Sequence, residues 1–309
     1  MKTVSIMIPC YNEEENIVAI SEAVVRQMEE LPQYDYEILF IDNCSQDNTR
    51  PLLRQICAEN KKIKAIFNVK NFGQFNSPYY GLCQTTGDCA ISICADFQDP
   101  VEQIPVMVHE WEKGNKVICM IKAKSKENAL MYWLRGCYYR LIKKMSDVKQ
   151  IQQFTGFGLY DKQFIQLLRT LKDPMPFIRN IVAEYAPNHL EIQYIQPQRR
   201  AGKTHNNFYT LYDAAMLSFT SYTKAGLRII IFGGLIIAAL SFLVAMIYLI
   251  LKLCNWNNFN AGMAPIVIGV FMMGGVLLAA LGFIGEYILT INQRVMNKPL
   301  VVEDERINF

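Results

Sequence analysis

Short apolar runs alternate with longer segments of helical spacing in the first third of this 309-residue chain. The runs are VSIMIP, YEILFI, KAIFN, CAISICA and KVICMI, and their β-branched content is typical of buried strands. The intervening segments, 13–30, 48–59, 74–86 and 101–113, have the apolar spacing of helices. This alternation predicts an α/β fold, in which right-handed βαβ units form a mostly parallel sheet with helices on both faces.

Two long uncharged stretches, 229–251 and 261–285, follow towards the C-terminus. Each is longer than the roughly 20 residues with which a helix crosses about 30 Å of hydrocarbon. Lys and Arg flank the outer ends of the pair, whereas the connection CNWNNFN carries no charge, so both termini are expected on the cytoplasmic side. We therefore predict a transmembrane hairpin, with two buried helices of a soluble core as the alternative.

These patterns divide the chain into four parts. We expect a cytoplasmic domain over residues 1–205, an amphipathic juxtamembrane helix over 206–228, the hairpin over 229–289 and a cytoplasmic tail over 290–309. The chain opens directly into a strand pattern without an apolar signal segment, which favours a cytoplasmic location for the first domain.

Composition excludes several kinds of site. The net charge of +3 is too small to indicate a nucleic-acid partner. Nine cysteines without a C-x-x-C pair and three histidines far apart in sequence indicate neither a zinc site nor a disulfide framework. No G-x-G-x-x-G follows the first strand and no G-x-x-x-x-G-K-[ST] occurs, which disfavours dinucleotide and P-loop sites.

Polar residues gather where the predicted strands end. They are Cys10, Tyr11, Asn12 and Glu13 after the first run, Asp42 and Asn43 after the second, Lys70, Asn71, Phe72 and Gly73 after the third, and Asp96, Gln98 and Asp99 after the fourth. Parallel sheets bind ligands outside the carboxyl ends of their strands, so these four ends predict one polar site. The oxygen atoms after the fourth run suit Mg²⁺ or Mn²⁺ bound together with a pyrophosphate.

Four motifs carry a resemblance to a known family. PCYNEEENI, IDNCSQDNT, KNFGQ and ADFQDP, in this order, resemble the inverting glycosyltransferases of family 2, especially the polyprenyl-phosphate sugar transferases such as dolichol-phosphate mannose synthases and bactoprenol glucosyltransferases. The resemblance continues through TGFGLYD, RRAGKTH and the C-terminal tail. It implies a GT-A fold, a nucleotide-sugar donor with UDP favoured, a polyprenyl phosphate acceptor such as undecaprenyl phosphate, Mg²⁺ or Mn²⁺, and a place in the bacterial inner membrane.

The resemblance also implies roles for individual residues. The donor-binding residues would be Pro9, Tyr11, Asn12, Glu13, Asp42, Asn43, Asn71, Asp96, Arg199, Lys203 and His205. Asp96 and Asp99 would be catalytic, and Asp96 and Gln98 would hold the metal. Lys122, Arg135 and Arg140 would bind the acceptor phosphate.

The chain departs from the family pattern at three of these motifs. Cys94 stands where the family has the first Asp of D-x-D, Asn43 where it usually has a second Asp, and His205 where it has a lysine. A thiol is a soft ligand that matches Mg²⁺ poorly, so we expect Asp96 to carry the metal and Cys94 only to pack. Either His205 supplies charge when protonated or Lys203 takes over the task.

Other functions remain open at this point. The loss of a carboxylate at Cys94 is compatible with a nucleotide-sugar-binding pseudoenzyme, and the membrane hairpin with a subunit of a lipid-linked sugar flippase. A processive polysaccharide synthase would carry more membrane spans and a Q-x-x-R-W segment, and the sequence has neither. Small residues at Gly269, Gly274, Gly275 and Gly282 would allow close helix packing in a homo-oligomer.

Overall fold

The computed structural model describes residues 1–123, 151–171, 173–200, 263–296 and 298–309, together with scattered helical positions between 232 and 254. These residues include a mostly parallel sheet of eight strands in the order β7-β5-β6-β4-β1-β2-β3-β8. The strands are β1 (Lys2–Cys10), β2 (Tyr34–Asp42), β3 (Ile63–Asn68), β4 (Cys89–Ser92), β5 (Val117–Lys122), β6 (Phe154–Asp161), β7 (Leu190–Tyr194) and β8 (Glu303–Ile307).

Helices connect the strands and cover both faces of the sheet. They are α1 (Ile17–Glu29), α2 (Thr49–Glu59), α3 (Gly73–Gln84), α4 (Ile104–Glu112, preceded by a 3₁₀ turn at Val101–Gln103), α5 (Lys162–Thr170) and α6 (Ile178–Tyr185). A further helix, α7, runs over Met263–Val295. Strands β1 to β4 pair in parallel, β7 is parallel to β5, and β6 and β8 run antiparallel to their neighbours.

Successive side chains of β1 point to opposite faces of the sheet and pack into two separate hydrophobic cores, as the two-residue period of a strand requires. Ile6 and Ile8 belong to the core that contains Ile20 of α1, whereas Met7 belongs to the core that contains Leu82 of α3. Both faces of the central strands are therefore covered, which explains their nearly continuous apolar sequences.

All five predicted strands are present, and the predicted mostly parallel α/β sheet is confirmed. The alternation in the N-terminal third did not indicate β6, β7 or β8. Strand β6 has two glycines in FTGFGLYD, and β8 has the charged sequence EDERI, so neither has the apolar run by which the other strands are recognised. Residues 303–307, which we expected in a tail, form the edge strand next to β3.

The chain separates into two compact units. One contains residues 1–139, 148–207 and 296–309, and the other contains 140–147 and 208–295. Within the second unit, one helix among the described residues is long and apolar enough to cross a membrane, over Met273–Asn292, with a mean hydropathy of 1.8 and none of it buried. The juxtamembrane helix, 206–228, lies outside the described residues. The first predicted span, 229–251, is described only at scattered helical positions, so the hairpin stays a prediction.

Candidate active site

The carboxyl ends of β1 and β2 lie side by side, with Cys10 opposite Asp42 in the parallel register. The loops that follow them are joined by hydrogen bonds. The backbone N–H of Asn12 donates to Ser45 Oγ at 2.8 Å, and Asn12 Oδ1 accepts from the backbone N–H of Gln46 at 2.8 Å. Asn12 has a φ of 54°, in the left-handed region that Asn tolerates better than most residues.

The neighbouring predicted donor residues lie in the same loop. The backbone N–H of Glu13 donates to Thr49 Oγ1 at 2.9 Å, and its carboxylate accepts from Asn16 Nδ2 at 2.7 Å. Pro9 and Tyr11 are half-buried on either side of Cys10. The structure therefore brings these residues together at the predicted edge of the sheet.

Asp42 is completely buried and has a cationic partner. Arg50 Nε donates to Asp42 Oδ2 at 2.8 Å, and the backbone N–H of Ser45 lies 3.2 Å from the same oxygen. Arg50 also donates to the carbonyl of Asn68 at 2.7 Å and reaches Asp304 Oδ2 at 3.3 Å. Sequence reasoning missed Arg50, although its place on the first turn after the β2 loop is a signal that could have identified it.

Asn43 is held by four hydrogen bonds. Its Nδ2 donates to Asn71 Oδ1 at 2.9 Å and to the carbonyl of Gly73 at 3.2 Å. Its Oδ1 accepts from Asn68 Nδ2 at 3.2 Å and from the backbone N–H of Phe72 at 2.9 Å. Because a side-chain amide offers two donors and two acceptor positions, the protein itself satisfies Asn43 completely.

The acidic turn after β4 places Asp96 against a basic segment. Arg199 Nη2 lies 2.9 Å from Asp96 Oδ2, and the backbone N–H of Gln98 donates to Asp96 Oδ1 at 3.1 Å. The backbone N–H of Arg200 donates to the Asp96 carbonyl at 3.3 Å, and its guanidinium lies 5.2 Å from the centre of the Phe97 ring. The predicted metal-binding and phosphate-binding motifs are thus in direct contact.

Asp99 lies in the same turn and is buried to the same extent as Asp96. It accepts from the backbone N–H of Cys94 at 3.0 Å and from the Tyr194 hydroxyl at 3.2 Å. Burial raises the pKa of Asp99, although the bonds from Cys94 and the charge of Lys122 oppose this shift. Tyr194 was not identified from the sequence, because its position opposite Lys122 in the register depends on β7 pairing with β5.

Lys122 and Cys94 have perturbed pKa values beside Asp99. Burial lowers the pKa of Lys122, and the charge of Asp99 acts in the opposite direction. Cys94 is exposed, and desolvation together with the charges of Asp99 and Asp96 raises the pKa of its thiol above the ordinary value. Cys94 is therefore a neutral thiol at physiological pH.

The sequence profile of "Glycosyl transferase family 2" matches residues 5–168, which is more than half of the chain. The matched residues include the carboxyl ends of β1 to β6, whereas β7 and β8 lie beyond them. The chain belongs to glycosyl transferase family 2. It is therefore a glycosyltransferase, as the motifs predicted, and the mostly parallel sheet agrees with the expected GT-A class.

Curated relatives of this family 2 glycosyltransferase match it over almost its full length. "Bactoprenol glucosyl transferase" of Shigella phage SfX is 29% identical over 96% of this chain and 97% of its own. "Prophage bactoprenol glucosyl transferase homolog" of Escherichia coli K12 is 28% identical over 92% of this chain and 93% of its own. Among solved structures, glucosyl-3-phosphoglycerate synthase from Mycobacterium tuberculosis with Mn²⁺, uridine diphosphate and phosphoglyceric acid is 15% identical over 71% of this chain and 76% of that one, with a TM-score of 0.48.

The acidic turn after β4 has the type of oxygen ligands that Mg²⁺ or Mn²⁺ prefers. Asp96 offers a hard carboxylate at the end of β4 and Gln98 an amide oxygen, and Mg²⁺ commonly combines one or two protein oxygens with substrate phosphates. Among the residues that the structure describes, no three His, Cys, Asp or Glu side chains gather as a metal cage. Such an ion would therefore need the donor phosphates to complete its coordination.

Four predicted site residues cannot be placed. Arg135, Arg140, Lys203 and His205 lie outside the described residues. Those that can be placed lie at the carboxyl ends of β1 to β5 or in the segments that follow them, except Arg199, which follows β7. Their roles in binding and catalysis stay predictions.

Proposed function

We propose that this glycosyltransferase transfers a single sugar, with inversion, from a nucleotide sugar to a polyprenyl phosphate such as undecaprenyl phosphate. UDP-sugars are the favoured donors, and Mg²⁺ or Mn²⁺ assists. The observation that carries the proposal is the contact between Asp96 and Arg199, because it joins a carboxylate able to bind a cation to a guanidinium able to bind phosphate at one strand end. The names of the relatives support the choice of acceptor, since those proteins match over almost the whole chain.

The donor side of the reaction needs stabilisation of negative charge. As the bond between the sugar and the nucleoside diphosphate breaks, charge develops on the leaving phosphate. Asp96 and Gln98 would hold the cation, which neutralises that charge when bound. Arg199 adds a second positive charge within hydrogen-bonding reach of Asp96.

The acceptor side needs orientation more than proton transfer. A phosphate monoester is already anionic at neutral pH, so its oxygen can attack the anomeric carbon without a general base. Lys122, at the end of β5 and near Asp99 and Asp96 of the acidic turn, would supply a positive charge for that phosphate. Attack from the face opposite the leaving diphosphate inverts the anomeric centre.

The location follows from the acceptor. We propose that α7 anchors the chain in the bacterial inner membrane, because its span Met273–Asn292 has the length and composition of a membrane helix. The catalytic domain would then work at the cytoplasmic face, where nucleotide sugars are available.

The experiment is an assay of nucleoside diphosphate release by the purified full chain in detergent. We expect release from a UDP-sugar to depend on a polyprenyl phosphate and to be absent with the polyprenyl alcohol of the same length. Asp96→Asn keeps the size of the side chain but removes its charge, so release should fall by at least about 100-fold, in line with the loss of one preorganised electrostatic contact. Release that needs no phosphate acceptor, or that survives Asp96→Asn, would contradict the proposal.

A binding protein without turnover is the second candidate, and Cys94 is the observation that favours it. Its neutral thiol replaces a carboxylate of the family's motif, so Asp96 has no charged companion for the cation within D-x-D. Under this alternative the purified chain would bind UDP but release none from any donor, and Cys94→Asp would restore release. If wild type turns over and Cys94→Asp adds little, the second candidate is excluded.

A further inference from the structure

Both carboxylate oxygens of Asp96 already have partners within the protein. Arg199 Nη2 lies 2.9 Å from Oδ2, and the backbone N–H of Gln98 donates to Oδ1. Asp96 is 5% exposed, so little of it is open to solvent. A divalent cation and a guanidinium cannot occupy the same side of one carboxylate oxygen, because their charges repel each other and their contact distances overlap.

The Arg199 side chain can leave Asp96 without releasing the rest of its segment. The next residue, Arg200, donates its backbone N–H to the Asp96 carbonyl and places its guanidinium over Phe97. These two contacts do not involve the Asp96 carboxylate. The Arg199 side chain is 28% exposed, so it has an open side towards which it can turn.

No other carboxylate of this turn can replace Asp96. Asp99 is as buried as Asp96, but its oxygens accept from the backbone N–H of Cys94 and from the hydroxyl of Tyr194 rather than from a side-chain cation that a metal ion could replace. Cys94, two residues before Asp96, carries a thiol in place of the first carboxylate of the family motif. A cation that binds here without a nucleotide would therefore have to displace Arg199 from its carboxylate and gain only one charged protein ligand.

A diphosphate changes this balance because it offers partners to both competitors. Its oxygens form two-pronged hydrogen bonds with a guanidinium, and they complete the coordination of Mg²⁺ or Mn²⁺. We propose that Arg199 and the divalent cation compete for Asp96, and that the cation site is completed only when a nucleoside diphosphate takes Arg199 away from it. This rests on the proposed function for the cation at Asp96, and it adds that the cation and the nucleotide bind cooperatively, each increasing the affinity for the other.

Two opposite effects follow from removing the guanidinium. In Arg199→Met, free Mn²⁺ should bind more tightly, since its competitor is gone, whereas UDP should bind more weakly, since it loses a phosphate partner. A residue that only stabilises the loop would weaken both. The mutual enhancement between Mn²⁺ and UDP is equal in both directions by thermodynamic linkage, so it can be measured from either ligand.

The test measures Mn²⁺ binding by electron paramagnetic resonance of the purified full chain, with and without saturating UDP. We expect UDP to tighten Mn²⁺ binding at least about ten-fold in wild type, within the 5–150-fold range of ordinary coupling. In Arg199→Met the affinity for Mn²⁺ alone should rise several-fold. The enhancement by UDP should be smaller than in wild type, and what remains of it comes from the phosphate oxygens that coordinate the cation directly. Arg199→Lys keeps the charge without the two-pronged geometry and should lie between the two.

Arg200→Met is the matched control, because it removes the neighbouring guanidinium from Phe97 but leaves the Asp96 carboxylate and its partners in place. It should behave as wild type in both measurements. Unchanged or weaker binding of free Mn²⁺ in both Arg199 variants would overturn the inference. If Asp96→Asn binds Mn²⁺ with UDP as tightly as wild type, the cation does not use Asp96, and that part of the proposed function fails as well.

Discussion

Asn43 shows why an amide replaces a carboxylate at the end of β2. Its Nδ2 donates to Asn71 Oδ1 and to the carbonyl of Gly73, two acceptors that a carboxylate at this position would repel. The sequence placed Asn43 at the predicted site and identified the departure from the family pattern. It could not show that the partners of Asn43 belong to β3 and the start of α3, because those contacts span about 25 to 30 positions of the chain.

Asn43→Asp tests this interpretation. We expect the free energy of unfolding to fall by about 1–3 kcal/mol, because the two donated hydrogen bonds are lost and Asn71 Oδ1 then faces a buried charge. Chemical denaturation of the purified chain, followed by circular dichroism, measures the change. Asn188→Asp makes the same substitution at an exposed position and should change the stability by less than about 0.5 kcal/mol. Equal stability of the Asn43 and Asn188 variants would show that the amide hydrogen bonds contribute nothing.

Strand β8 was not predicted from the sequence pattern, which indicated a tail over these residues. Its residues alternate between half-buried and exposed positions, and its hydrogen bonds with β3 fix it at the edge of the sheet. Side chains reinforce the pairing: Arg54 Nη2 reaches Glu305 Oε2 at 2.6 Å, and Asn308 Nδ2 donates to the carbonyl of Ile63 at 2.7 Å. A charged edge strand is stabilised by its neighbours rather than by its own apolar content, so a local pattern does not reveal it.

The carboxylate of Glu37 in β2 is hydrogen-bonded to side chains of both neighbouring strands, β1 and β3, and to the turn before β4. It accepts from Ser5 Oγ in β1 at 2.5 Å, from Lys64 Nζ in β3 at 2.6 Å and from Thr86 Oγ1 at 2.7 Å. Burial alone would raise the pKa of Glu37, but the hydrogen bonds from these partners outweigh it and lower the pKa below the ordinary value.

The direction of this shift fixes how the stability depends on pH. A carboxylate with a lowered pKa in the folded state stabilises the fold above its unfolded pKa of about 4.3, and this contribution is lost as the pH falls through the folded pKa. We expect Glu37→Gln to flatten the acid limb of the stability profile, measured by denaturant unfolding from neutral to acidic pH. Glu22→Gln, at an exposed pair with Arg26, is the control and should leave the profile unchanged. An acid limb as steep in Glu37→Gln as in wild type would contradict the assignment.

At the scale of the whole molecule, the order of the four motifs along the chain was more informative about the family than any single motif. The four motifs at the strand ends indicated the family, and the match over residues 5–168 confirms it. The sheet edge also followed from the pattern, since parallel strands carry their terminal residues to one side. What the pattern could not supply were the partners brought in from distant segments, such as Arg199 at Asp96 and Tyr194 at Asp99, because both depend on how later strands pair.

The proposed polyprenyl phosphate acceptor accounts for two features of the chain, the apolar helix α7 and the polar edge of the sheet. The helix has the composition of a membrane span, and Lys122 gives the site a cation next to the acidic turn. Under the proposal, the lipid part of the acceptor would lie in the membrane that α7 spans, and its phosphate would meet the cation at the end of β5.

The most direct test is the mass spectrum of the organic-soluble product after incubation of the purified chain with undecaprenyl phosphate, Mg²⁺ or Mn²⁺, and a panel of UDP- and GDP-sugars. The account predicts one new species, heavier than the acceptor by a single anhydro-sugar, formed from a UDP-sugar and absent with Asp96→Asn. A product with several sugars, a sugar found only in the aqueous phase, or no product from any donor with a folded protein would contradict it.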